Sequence, residues 1–351
     1  MTPVRIGPIA LLAVMLTCLP ARAERSLSQA NWTLSEASQA AAETDLLEML
    51  KPLLELARSD QDQRLLQELK RLAADDSLSL PARERVLFEF TVSLADLDRL
   101  AAGADVLGFL AAYQSRVLVP FEDNRRLGIP LYNVRAAAAG VLNEWRRQDG
   151  AIEAMTLQHG PGALWLAAYL SSGPAQRSGY VDSLDFMSEP SLQSLAAQAA
   201  SRMASEPDLT PVVARIAVLL ADIGLLQNLA VHGSGPGLAE AIRAGIAELD
   251  EPDRAALMSH AVLHAPAVNA AQAMAELAPG LLHRDETVKL LFDLLGNPDL
   301  GAASALALSR SPNPAVRAQL VELASKSRGM ESRRAALAAS LARNTTGEAG
   351  R

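Results

Sequence analysis

"SEPSLQSLAAQAASRMASEPDLT" (residues 188–210) opens and closes on nearly the same phrase. Ser188-Glu189-Pro190 returns as Ser205-Glu206-Pro207, with a leucine two residues after each proline. After the first phrase, Leu192, Leu195, Ala196, Ala199 and Met203 fall at the i, i+3, i+4, i+7 and i+11 positions of one helix face. Proline suits a first helical turn, because the N–H it lacks has no intrahelical partner there. A preceding serine caps free N–H groups, and glutamate complements the positive end of the helix dipole. After the second phrase, Val212, Ile216, Leu219, Leu220 and Ile223 form the next stripe, and Gly224 is expected to stop it. The phrase is a helix-start device, and its spacing is one helix plus one turn.

The same punctuation continues down the chain. Starts are expected at Gly235-Pro236-Gly237, Asp250-Glu251-Pro252, Pro266, Asn297-Pro298, Asn313-Pro314 and Gly329. No sustained period-two pattern rich in β-branched residues interrupts them, so no strands are expected. The reading is all-α, with roughly 17 helices of about 10–20 residues joined by short loops. Such helices cannot each bury a face alone, whereas antiparallel pairs stacked in series can. An α-α superhelix is therefore expected, with a compact helical bundle as the alternative.

"NPAVRAQLVELA" (313–324) resembles the second-helix signature of HEAT repeats, and "IPLYNVRAAAAGVL" (129–142) resembles it more loosely. The resemblance covers about 297–341 and implies a solenoid of short antiparallel helix pairs.

The N-terminal end reads as an export signal. Arg5, the apolar run "IALLAVMLTCL" and Ala21-Arg22-Ala23 give the basic, hydrophobic and small-residue regions of a signal peptide. Cleavage after Ala23 and a periplasmic protein are expected. The rival is acylation at Cys18, disfavoured by the bulky Leu16-Thr17 flank. Cys18 is the single cysteine, so the chain beyond it has no disulfide and no thiolate ligand. The expected segments are a signal peptide over 1–23, an aromatic-containing helical half over 24–187, Ala/Leu-rich repeats over 188–343 and a tail over 344–351. Eleven of the 13 aromatic residues lie between Phe88 and Phe186, which motivates the division. The net charge of −8 disfavours nucleic acid as a partner. The region from Arg310 onward is locally basic.

Candidates for chemistry are weak. His260 and His264 have i, i+4 spacing, but Ala261 stands where a zinc-protease motif needs glutamate. "QHGPGALW" (158–165) and "VHGSGPGL" (231–238) run from His-Gly through Gly-Pro-Gly into helices, with neither the lysine of a phosphate loop nor the serine spacing of a nucleophile elbow. Glu331-Ser332 matches the catalytic dipeptide of lytic transglycosylases, but too few residues follow to build their lysozyme-like domain. No catalytic residue, metal ligand or cofactor is assigned. Phe109/Tyr113 and Trp165/Tyr169, each at i, i+4, are read as core.

The stretch "VPFEDNRRLGIPLYNVR" (119–135) breaks the helical rhythm and gathers Glu122, Asp123, Asn124, Arg125, Arg126, Tyr132, Asn133 and Arg135. Loops on a rigid scaffold often carry function. Glu122, Asp123, Arg125, Arg126, Tyr132, Asn133 and Arg135 are the expected binding residues; the alternative is a plain connector. The expected function is a non-catalytic envelope scaffold with a protein partner. A cell-wall polymer as ligand, or a pocketed enzyme or carrier in the aromatic middle, is the alternative.

Overall fold

The computed structural model describes residues 30–59, 61–97, 103–121, 127–326 and 329–348. Residues 1–23, read as a signal, lie outside them, as do Glu122 through Arg126. Helix accounts for 77% of the chain and strand for 2%, so the class is all-α. The chain divides into two compact units, Met1–Val141 and Leu142–Arg351.

The first unit contains α1 (Leu34–Ala42), α2 (Leu46–Arg58), α3 (Asp62–Ala73), α4 (Leu80–Ser93) and α5 (Gly103–Ala112). It also holds strands β1 (Leu118–Pro120) and β2 (Gly128–Pro130) and the start of α6 (Val134–Leu157). The helix starts follow local chemistry. Thr33 and Glu36 form a reciprocal capping box on α1. Asp45 accepts from the Leu47 and Glu48 N–H groups at 3.0 and 3.3 Å, and Ser79 accepts from Ala82 at 3.3 Å. The helix α4 is the hub, since α1, α2 and α3 all pack on it. Its buried residues include Arg83 and Glu84 beside Val86, Leu87 and Phe90.

The two strands correct the expectation of none. They pair antiparallel, with Leu118 opposite Pro130, Val119 opposite Ile129 and Pro120 opposite Gly128. At three residues each they are too short to show alternation, and the two prolines and a glycine disguise them. Besides their own ladder, the preceding segment supports them: the Asn31 and Trp32 N–H groups both donate to the Leu118 carbonyl, at 2.9 and 3.1 Å. The Asn31 amide donates to the Arg116 carbonyl at 2.8 Å and its oxygen accepts from Leu118 at 2.9 Å, so one side chain imitates a neighbouring strand along β1. Val117 and Val119 bury their side chains with Ala37, and Trp32, Leu80 and Leu131 pack around them.

The second unit continues α6 and adds α7 (Gly162–Ser171), α8 (Pro174–Ser183), α9 (Glu189–Arg202), α10 (Thr210–Leu219) and α11 (Ile223–His232). Next come α12 (Pro236–Glu248), α13 (Glu251–His264), α14 (Ala267–Leu281) and α15 (Asp285–Leu294). The last are α16 (Gly301–Ser309), α17 (Pro314–Lys326) and α18 (Met330–Glu348). Two layers result. Each of α8, α10, α12, α14 and α16 packs on the next even helix, and α7, α9 and α11 pack on the next odd one. Consecutive pairs such as α9–α10, α13–α14 and α17–α18 join the layers. This is the all-α superhelical arrangement expected of helices that cannot bury a face alone. One hydrophobic cluster runs from Ala154 to Ala339, unbroken at residues 187–188.

The repeated phrase does not act identically in its two copies. Glu189 does begin α9, but the Ser188 hydroxyl meets Ser191 at 2.9 Å instead of capping the helix. After the second copy a 3-10 turn, Pro207–Leu209, comes first, and α10 begins at Thr210. There the Ser205 hydroxyl and the Glu206 N–H both close the Arg202 carbonyl at the end of α9, so the phrase ends one helix before the next begins. Asn297-Pro298 behaves similarly: the Asn297 side chain accepts from Asp299 and Leu300, and α16 starts only at Gly301.

Gly224 is not the stop after α10; it lies inside α11. The left-handed residue is Ala221, with φ 48°. The Asp222 N–H bonds the Ala217 carbonyl at 3.0 Å and the Ala221 N–H bonds Val218 at 3.2 Å, the paired bonds of a Schellman motif. Asp222 then caps α11 through Leu225 at 3.0 Å. Capping fixes the reversal even though the residue at its pivot carries a Cβ. Elsewhere glycine is indispensable: a Cβ on Gly179 of α8 would sit 1.8 Å from the Arg147 carbonyl, and one on Gly150 of α6 would sit 2.1 Å from that of Gln176. These two helices touch backbone to backbone.

Candidate interaction surfaces

The even-numbered layer presents an open groove across α8, α10 and α12. Its larger part encloses about 590 Å³ and is bounded by Pro174, Arg177, Asp208, Pro211 and Ser234. A smaller hollow of about 160 Å³ continues it and shares Val181, Pro211 and Gly237. Small residues, Ala214, Ala241 and Ala244, line this hollow. Their shortness lets successive helices approach and leaves a shallow channel between them.

Charged side chains at the groove are held by the neighbouring repeat. Arg177 donates to Asp208 at 2.5 Å and to the Tyr169 and Leu170 carbonyls at 3.2 and 2.6 Å, with its guanidinium 5.5 Å from the Tyr169 ring centre. Arg215 makes a two-point bond to Asp185, at 2.7 and 2.5 Å, and that hydrogen bonding raises its pKa. Arg147 joins Asp182 at 2.5 Å, and Arg243 lies 3.5 Å from Glu276. The partners in these ties are 30 to 35 residues apart in sequence, about one helix pair. Near the far end, Arg334 of α18 serves the carbonyls of Leu295, Asn297 and Pro298. Sequence reading missed these ties; the available signal was an arginine and a carboxylate repeating at that interval.

The aromatic cluster beneath the groove is core. Trp165 stacks on Tyr169 with centroids 5.8 Å apart, and Tyr180 meets both rings edge-on at 4.9 and 5.9 Å. All three are at most 1% exposed, and Trp145 is buried too. Burial pushes the Tyr169 hydroxyl up to about 12, and it donates to the Asp208 carbonyl at 2.8 Å.

The expected binding stretch is only partly visible. Glu122, Asp123, Asn124, Arg125 and Arg126 lie outside the described residues. Tyr132 is half-buried, 6.1 Å from the Phe88 ring, and burial raises its pKa. Asn133 caps α6 by accepting from Ala136 at 3.0 Å, which accounts for its presence structurally. Arg135 is exposed on the first turn of α6. Phe121 and Ile129, at the ribbon, are each 37% exposed.

Beneath that ribbon lies a group the sequence reading passed over. Glu84 is fully buried, and its carboxylate accepts from the Arg116 N–H at 2.6 Å, the Val117 N–H at 3.2 Å and the Tyr113 hydroxyl at 3.4 Å. Desolvation raises its pKa, opposed by the two backbone bonds. Three residues on, Leu87 shares its face of α4, so a carboxylate on an apolar stripe was the available signal.

His260 and His264 do meet, with ring centres 4.6 Å apart, and burial and mutual repulsion lower the pKa of His260. Among the described residues no group of three histidines, cysteines or carboxylates is placed to hold a metal, and no helix is long and apolar enough to cross a membrane. Ser332 is buried and donates to the Ala324 carbonyl at 3.0 Å, whereas Glu331 is exposed. The chain matches no protein-family model, no curated protein and no solved structure.

Proposed function

We propose that this chain is an exported helical-repeat scaffold of the HEAT-like kind that binds an extended protein segment along the groove of α8, α10 and α12. The observation that carries this reading is the groove itself: two adjoining open hollows that share Val181, Pro211 and Gly237, the smaller one alanine-lined, crossing three successive repeats. Arg177, Asp182, Asp208 and Arg215 along it are already paired between repeats, so a ligand meets a largely pre-organised surface there and little side-chain entropy is lost on binding. The spacing of the inter-repeat ties, near one helix pair, supports the HEAT-like reading alongside "NPAVRAQLVELA". Burial of Trp145, Trp165 and Tyr169 withholds from a polysaccharide the exposed rings it would stack on, so the protein ligand is preferred.

The test is site-specific cross-linking in the envelope. A photo-reactive residue at Ala244 or Val218 should yield a discrete peptide adduct, while one at exposed Leu263 on α13 should not. Glycan adducts, or equal yields at all three positions, would overturn the reading. Export is checked separately: the N-terminus of the exported protein is expected at Glu24, and a lipid on Cys18 or a retained leader would contradict it.

A further inference from the structure

The outer face of α2 and α3, opposite α4, carries a second groove of about 600 Å³ that differs from the first in its charges. The link over 59–61 is short enough that α3 returns antiparallel to α2, and both helices pack on α4. Half-buried Met49 and Leu56, exposed Pro52 and buried Leu53 and Leu72 supply an apolar floor. Pro52 also denies the Glu48 carbonyl its helical donor and loosens α2 at mid-length. The α2 wall is acidic and the α3 wall is basic on balance, with Glu68 between its two arginines. Exposed Glu48 and Glu55, seven residues apart, stand on α2; exposed Arg64 and Arg71, with the same spacing, stand on α3. In an antiparallel pair Glu55 is level with Arg64, and Glu48 with Arg71. Arg71 is engaged by Glu68 of its own helix at 2.8 Å, and Arg64 reaches Gln61 at 3.4 Å.

The complement of this face is an apolar stripe with a basic row on one side and an acidic row on the other. The face presents that pattern itself. A two-fold axis parallel to the helices places α2 of one copy over α3 of the other at the same level, so that both acidic rows meet basic rows. We propose that this face docks a second copy of the chain, forming a symmetric four-helix contact in which Glu48 and Glu55 of each copy meet Arg64 and Arg71 of the other. A 13-residue helix is about 20 Å long and two packed helices span about 20 Å, so the contact covers about 400 Å² per copy. That is about half of a standard interface, the size class of weak, reversible contacts. Exposed charges supply part of the attraction, so the dimer loosens as salt rises.

Sedimentation equilibrium of the full chain from about 1 to 500 μM at low salt tests this. The unmodified protein should show a reversible monomer–dimer equilibrium. The E48R/E55R and R64E/R71E variants should each need at least about tenfold higher concentration to dimerise, because like rows then face each other. An equimolar mixture of the two should associate again, since every row finds its opposite. If either variant loses helical circular dichroism, E48Q/E55Q replaces it, and dimerisation should weaken with a flatter salt dependence. A monomer throughout the range, unaltered dimerisation of the charge-reversed variants, a mixture that fails to associate, or an E48Q/E55Q variant that retains affinity and salt dependence would overturn the proposal. A monomer would leave the groove to a helix of another protein.

Discussion

The two units build mainly helical folds by different means. The first is built around one hub: α1, α2 and α3 surround α4, and a buried carboxylate on that hub holds the backbone leading into a strand pair. The second has no single hub. Its helices form two layers with a continuous core and ties about one helix pair apart. In the first unit one helix gathers the other elements and its carboxylate ties in the 113–117 segment, so damage to α4 is felt throughout. In the second, each element depends mainly on its immediate neighbours, and damage there remains more local.

The strongest challenge to that contrast is Trp165→Ala. Trp165 contacts both Tyr169 and Tyr180 in the core, so the variant should cost about 4 kcal/mol. Hydrogen exchange should show the loss concentrated in α7 to α9 and small in α16 to α18. A uniform increase along the second unit would mean that it, too, has a hub.

Glu84→Ala tests the first unit. Leaving the Arg116 and Val117 N–H groups buried without an acceptor should cost about 2–3 kcal/mol, with exchange rising across β1 and β2 as well as α4. The pH dependence has a definite sign. The folded pKa lies above the unfolded value of 4.5. The stabilisation linked to this shift is therefore fully present below 4.5 and is lost as pH rises through the folded pKa. Denaturant midpoints of the unmodified chain should accordingly include a fall over that interval that Glu84→Gln lacks.

Two smaller effects sharpen the account of the layered unit. Ala221→Gly relieves a left-handed alanine and should stabilise by about 1 kcal/mol. Arg215→Ala breaks a tie whose partners are both more than a third exposed, so the loss should be about 0.5 kcal/mol and confined to the α8–α10 contact. Thermal melts measure both, and a loss of several kcal/mol for Arg215→Ala would make the ties primary rather than supplementary to the core.

These contrasts also mark how far the sequence could be read. Helical periodicity made the stripe of α9 and the Val212/Ile216 part of that of α10 legible, because a period of 3.6 is a local property, whereas Leu219, expected on the second stripe, is exposed and Ile223 opens α11. The turn at Ala221 was not legible, since glycine is the usual signal and here bonds to Ala217 and Val218 determine the conformation. The strand pair was hidden because its support comes from Asn31 and Glu84, far away in sequence. The groove of α8, α10 and α12 arises from helices one repeat apart, which no window of local sequence contains. Of the expected binding residues, Asn133 is a helix cap and Tyr132 packs near Phe88, while Glu122, Asp123, Arg125 and Arg126 lie outside the described residues.

The spacing of the ties has a mechanical consequence. Arg147 fastens α6 to α8, Arg177 and Arg215 together fasten α8 to α10, and Arg243 fastens α12 to α14, so tension applied across the second unit passes from one helix-pair joint to the next, each held by its core contacts and some also by these ties. Each joint bears the same load, and the weakest yields first while the others hold. Under force the stack would lengthen one joint at a time, as a chain of clasps does, with each released arginine and carboxylate free to close again when the pull ends.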